Sequence, residues 1–268
     1  MNRSRLHLLI SITVIVSITS FLFGNLVKPA TAAAQVSIVS HTGYLDGTGY
    51  YQVCGEVQNT GDTAARNIWV TITFYDASSA VLEGPREVQV QLDVLLPGRK
   101  SPFACQAGSV QGSQVHSYTV DMLFYDPADT VPLGLEIVSD SSNIIDQILL
   151  KTMNVSGQVK NSGSETATVV KVVATFYNGP SGTGTVVGVS AATSSPYSLN
   201  AGQTGSFIIL IDVTGRESQF VSYVLVPESP EYAAIPEFPI VIGLLLLLCA
   251  ATALLLMTRK KWSKQTFS

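Results

Sequence analysis

The side chains that could do chemistry are few and widely spaced. Cys54 and Cys105 are thiols, able to form a disulfide or to remain free and buried. His41 and His116 are the imidazoles of the long central segment, and neither has the neighbouring Cys or acidic pattern that a zinc site needs. Asp46-Gly47-Thr48-Gly49 has one carboxylate but lacks the acidic residues at alternate positions of a calcium loop, so it reads as a hairpin turn. Serine is abundant, yet no Gly-x-Ser-x-Gly elbow accompanies it. Asn154-Val155-Ser156 is an N-glycosylation sequon placed within a strand-like run. Tyr44, Tyr50, Tyr51 and Trp69 are the aromatics best suited to a contact surface. This inventory predicts no catalytic set, no metal site and no cofactor.

The elements that must position these residues come from a duplication. Val53-Cys54-Gly55-Glu56-Val57-Gln58-Asn59-Thr60-Gly61 leads to Ile72-Thr73-Phe74-Tyr75-Asp76, and Val155-Ser156-Gly157-Gln158-Val159-Lys160-Asn161-Ser162-Gly163 leads to Ala174-Thr175-Phe176-Tyr177-Asn178. Val53, Gly55 and Val57 alternate on one face of a strand, and Asn59 to Gly61 break it with turn chemistry. The next strand places Ile68, Val70, Ile72 and Phe74 on a core face, matched by Val170, Val172, Ala174 and Phe176. Its other row, Trp69, Thr71, Thr73 and Tyr75, matches Lys171, Val173, Thr175 and Tyr177, and is expected to be half-exposed in both copies. Short strand candidates at Val36–Ser40 and Leu135–Ser139 open the copies, and Leu96-Pro97-Gly98 before Phe103 answers Asn200-Ala201-Gly202 before Phe207. Seven short strands in roughly 95–100 residues, with regular turns, predict an all-β chain of two tandem immunoglobulin-like β-sandwich domains.

The first copy resembles the FxLYD family of small β-sandwich modules, with CARDB-type modules as neighbours, through Gly55, Val57, Asn59, Gly61, Phe74, Tyr75, Asp76, Pro97, Gly98 and Phe103. The second copy departs from that pattern at Asn178 and Ala201. The resemblance implies a fold and brings no catalytic residues. In the repeat alignment Cys54 and Cys105 correspond to Ser156 and Ile209, on strands that usually neighbour each other. A disulfide there would add about 2–4 kcal/mol, and two buried thiols are the alternative.

Of the 268 residues only 13% are charged, and the net charge is −4. Arg3, Arg5, Arg259, Lys260, Lys261 and Lys264 lie at the two ends, leaving an acidic middle without the basic clusters that nucleic acid requires. The ends read as membrane-handling segments. Residues 1–34 form a signal peptide with an apolar helix from Leu6 to Val27, either cleaved after Ala34 or kept as an anchor. Two modules follow at 35–133 and 134–229, then a spacer at 230–239. Residues 240–257 form an uncharged transmembrane helix, and 258–268 are a basic cytoplasmic tail. The tetrapeptide Pro236-Glu237-Phe238-Pro239, the span and the basic end resemble the PEF-type sorting signal of archaeal surface proteins. That resemblance implies a sortase-type processing enzyme as a partner.

These features predict a single-pass cell-surface protein with extracellular modules and a cytoplasmic C-terminus. Its role is structural, adhesive or partner-binding and non-catalytic, towards a protein or cell-envelope partner. The alternative is an accessory subunit that presents or stabilises a membrane transporter or secreted enzyme.

Overall fold

The computed structural model describes residues 33–108, 112–180 and 182–236. The expected N-terminal apolar helix, Glu237–Pro239 and the 240–257 span lie outside them, and among the described residues no helix is long and apolar enough to cross a membrane. The described chain is all-β, its helical pieces being single 3-10 turns at Gly112–Gln114 and Glu217–Gln219.

The first module contains β1 (Val36–Leu45), β2 (Tyr51–Asn59), β3 (Ala64–Tyr75), β4 (Val81–Gln89), β5 (Val94–Leu95), β6 (Lys100–Gln106) and β7 (Ser117–Ala128). One sheet runs β1-β2-β6; in the other, β3 pairs with β4, β5 and β7. Val53, Val57 and Phe103 from the first sheet meet Ile68, Val70, Ile72 and Phe74 from the second in a shared core, the arrangement of a β-sandwich. The second module repeats this with β8 (Leu133–Asp146), β9 (Lys151–Asn161), β10 (Lys171–Tyr177), β11 (Val186–Thr193), β12 (Thr204–Asp212) and β13 (Ser222–Glu228). A short β14 (Ala233–Ala234) bridges β13 to β8, so its two sheets join edge to edge.

The repeated residues have structural duties. Asn59 and Asn161 are fully buried. The Asn59 amide donates to the Thr63 and Leu95 carbonyls, and its oxygen accepts from Gly61 N–H. Asn161 does the same with Glu165, Leu199 and Gly163. Each amide thus satisfies at least three backbone groups and ties the turn to a distant stretch of chain, at Leu95 in one copy and Leu199 in the other. Gly55 and Gly157 pair with His41 and Asp140, one pair beyond β-bulges between Ile38 and Ser40 and between Ile137 and Ser139. A side chain at Gly55 would strike the Ser40 carbonyl and the Phe103 ring; at Gly157 it would strike the Ser139 carbonyl and the Phe207 ring.

Four expectations are corrected. The opening strands are longer than the short runs Val36–Ser40 and Leu135–Ser139, because the bulges let them continue past the break in alternation. Cys54 and Cys105 are both free and buried. Register explains why: Cys105 pairs with Val53 and points into the first core, while Cys54 pairs with Ala104 on the other face of the same sheet. The row Lys171, Val173, Thr175 and Tyr177 is not half-exposed, since Val173, Thr175 and Tyr177 are buried. Lastly, the stretch read as a spacer belongs to the second module as far as Ala234. The Tyr232 side chain joins that core, and its hydroxyl accepts from Glu165 N–H.

Candidate functional site: the cleft between the modules

Burial of both faces of β10 follows from how the modules meet. The outer face of β1-β2-β6 packs on the outer face of β11-β10-β13, so Val173 completes the first module's core, and Tyr177 and Val186 cover Cys54. Ser40 Oγ accepts from Val186 N–H at 3.1 Å, and the Cys54 thiol reaches the Val186 carbonyl at 3.6 Å. Burial pushes the Cys54 thiol up to about 12.

Polar groups in this contact are paired across it. Glu56 is fully buried in mid-strand. It accepts from Lys100 Nζ at 2.6 Å and from the Tyr177 hydroxyl, in the other module, at 2.8 Å. Burial and then the Glu56 charge raise the Tyr177 phenol, which therefore stays a donor. Lys100 Nζ also donates to the Gly182 carbonyl at 3.0 Å. Nearby, Lys171 Nζ donates to the Gln91 carbonyl at 2.6 Å. It lies 2.7 Å from Glu228 Oε1, a close ion pair. Asp93 N–H donates to the other Glu228 oxygen at 3.0 Å. Desolvation holds the Glu228 carboxyl above its usual range, against the pull of Lys171. At the far edge the Arg216 guanidinium lies 3.2 Å from the centre of the Tyr44 ring, a cation–π contact joining the modules.

A cavity of about 220 Å³ opens where the turn before β6 meets β13 and β14. Leu92, Leu96, Val131, Val226 and Pro227 give it hydrocarbon walls, and Arg99 contributes the one guanidinium. Arg99 donates to the Ala234 carbonyl at 3.2 Å, and desolvation lowers its pKa. Such a cleft can shelter a small apolar or amphipathic group. Its described lining contains neither histidine nor cysteine.

The predicted contact aromatics are not brought together. Tyr44 lies under Arg216 between the modules, and Tyr51 packs edge-on to Phe74 at the margin of the first core. Trp69 stacks on Phe124 on the outer face of β3 and β7, and Tyr50 is exposed beside the β1–β2 turn. His41 Nδ1 is 3.0 Å from the Tyr118 hydroxyl, whereas His116 is exposed. Among the described residues no group of three or more His, Cys, Asp and Glu could hold a metal ion. Asn154 lies half-buried in β9, its side-chain oxygen buried without a partner. Asp46 makes the expected hairpin turn, accepting from the Thr48 and Tyr50 amides. Of the PEF-type tetrapeptide only Pro236 is described.

Sequence reasoning missed Glu56, Lys100, Tyr177, Lys171 and Glu228 as a group. The available signals were a charged residue amid Val-Cys-Gly-Glu-Val and the unbroken apolar run around Lys171, which belongs to a strand covered on both sides.

No family model matches the chain, and no curated protein matches it. Among solved structures it is similar to the N-terminal CBM22-1–CBM22-2 tandem domain of Xyn10C from Paenibacillus barcinonensis, at 11% identity, over 76% of this chain and 92% of that one. The TM-score is 0.13, a likeness too loose to carry fold detail or function.

Proposed function

We propose that the chain is a non-catalytic cell-surface protein, tethered to the membrane by its C-terminal apolar span, that presents two immunoglobulin-like modules as one rigid adhesive or partner-binding unit. The observation carrying this reading is where the described chain enters and leaves. Gln35 O accepts from Thr60 N–H, Asn59 N–H donates to Arg99 O, and Arg99 donates to Ala234 O. Both ends of the described chain therefore lie at one corner, which suits a tether there whether or not the leader is kept, and the remaining surface projects away from it. The inter-module contact supports rigidity, because splaying the modules would expose Val173, Tyr177, Val186 and the Glu56 pair to water. The FxLYD-like pattern and the PEF-type end agree with this reading.

Expression of the full chain tests it. Under alkaline carbonate extraction the chain should stay with membranes, and protease added to intact cells should remove the modules. Release by carbonate, or protection from external protease, would refute the tether.

The accessory-subunit reading draws on the open outer face of β8-β9-β12, where Ile208 is 62% and Leu210 is 54% exposed. A stoichiometric complex in mild detergent would favour it.

A further inference from the structure

The modules differ at one end in a way that neither folding nor turn chemistry explains. Their first hairpins are equivalent by register, since Gly55 and Gly157 face the same position of the preceding strand. In the first module the turn is Asp46-Gly47-Thr48-Gly49, with the Asp46 carboxylate accepting from Thr48 and Tyr50. In the second, Gln147 and Leu150 exchange backbone hydrogen bonds at 2.9 and 3.3 Å, leaving Ile148 and Leu149 as the two residues of the loop. Such loops favour Asn, Asp and Gly. Here they are two large aliphatics, 102% and 90% exposed, with Ile144, Ile145 and Leu150 also exposed just below.

Location narrows what the tip can touch. Ile235 N–H donates to Leu135 O, so the C-terminal tail departs near the base of β8. From Leu135 to Asp146, β8 extends about 35 Å, at about 3.3 Å per residue, away from the corner where both ends of the described chain lie. Two loop residues offer far less than the roughly 800 Å² per partner of a stable protein contact. Lys151 at the neck is already paired with Asp146 at 3.6 Å and Glu217 at 3.1 Å, so the tip presents no unpaired cation to anionic headgroups. What remains is hydrocarbon on a narrow convex wedge, which needs a fluid apolar medium rather than a shaped receptor.

We infer that the β8–β9 tip, through Ile148 and Leu149, inserts into the outer leaflet of a lipid bilayer apposed to the one that holds the chain. This rests on the tethered reading above and names the adhesive partner as uncharged lipid.

The test reconstitutes the full chain in phosphatidylcholine vesicles with the modules outward, immobilises them, and measures capture of protein-free fluorescent phosphatidylcholine vesicles. The key variant is Ile148→Asn with Leu149→Gly, which gives the loop favoured turn residues while removing the wedge, so loss of folding does not confound it. Capture by the wild type and a fall of at least about tenfold in the variant is the expected result. Leu149→Phe should retain capture. Equal capture by the Asn-Gly variant, or wild-type vesicles that cluster only with other protein-bearing vesicles, overturns the inference. Carbonate-resistant retention in the first vesicles reads the tether separately. A chain that is released refutes the tether, and the tip is then judged by flotation of the free chain and its Asn-Gly variant on the same lipid.

Discussion

Trp69, Thr71, Thr73 and Tyr75 on β3 and Lys171, Val173, Thr175 and Tyr177 on β10 occupy the same stations in equivalent strands, yet the first row is half-exposed and the second is buried from Val173 onward. The cross-strand partners change with them. Trp69 lies opposite Phe124 and Thr71 opposite Asp121, where Lys171 lies opposite Glu228 and Val173 opposite Val226. A duplicated sandwich has thus kept its core and its turn amides while one outer face became a docking face in a single copy. The first module's equivalent row stays half-exposed, with Trp69 stacked on Phe124 and no second module over it among the described residues.

The sharpest way to break this comparison is to make one change at both stations. Val173→Asn loses the burial of Val173 and leaves an amide without partners, and should cost about 4 kcal/mol in urea unfolding. Thr71→Asn should stay within about 0.5 kcal/mol. Equal costs would mean the two faces are equally covered. Where the modules agree, the effects should agree: Gly55→Ala and Gly157→Ala each force a methyl against a carbonyl and a Phe ring, and each should cost about 3 kcal/mol. A marked difference between them would break the structural equivalence of the bulges.

The sequence made the shared features legible and the unshared ones hard to see. Alternation at Ile68, Val70, Ile72 and Phe74 announced a core face, and its echo a hundred residues on announced the second sandwich. Asn59 and Asn161 were readable as turn residues. Their deeper duty, satisfying carbonyls from two loops, depends on long-range placement that spacing does not encode. The bulges hid the true length of β1 and β8, because an extra residue flips every later side chain. The same parity undid the disulfide: Cys54 and Cys105 lie on adjacent strands but one residue out of step. The inter-module pairs were invisible for a simpler reason. Glu56 meets Tyr177 across more than a hundred residues of chain, and nothing local marks either as a partner.

A smaller effect probes that pair. Glu56→Ala strands Lys100 and the Tyr177 hydroxyl and should cost about 2–3 kcal/mol, less than a fully buried pair would because Lys100 can regain water. Its counterpart on the open face, Gln158→Ala, should be near neutral. The smallest effect is one of pH. Glu228 titrates above the ordinary carboxylate value when folded, so over that window the folded state binds more protons and stability falls as pH rises. Glu228→Gln should flatten this slope, and an unchanged slope would show that another group sets it.

The measurement closest to the central claim needs no substitution. Cys54 lies on the outer face of its sheet and is covered by Tyr177 and Val186 of the other module. Alkylation of the native full chain at mildly alkaline pH without reductant, followed by peptide mapping, reads that cover. Docked modules predict that Cys54 is protected in the native protein and is labelled on denaturation without reductant, as is Cys105. Rapid labelling of Cys54 alone in the native chain, with Cys105 still protected, would mean the modules are separate beads and would contradict the account.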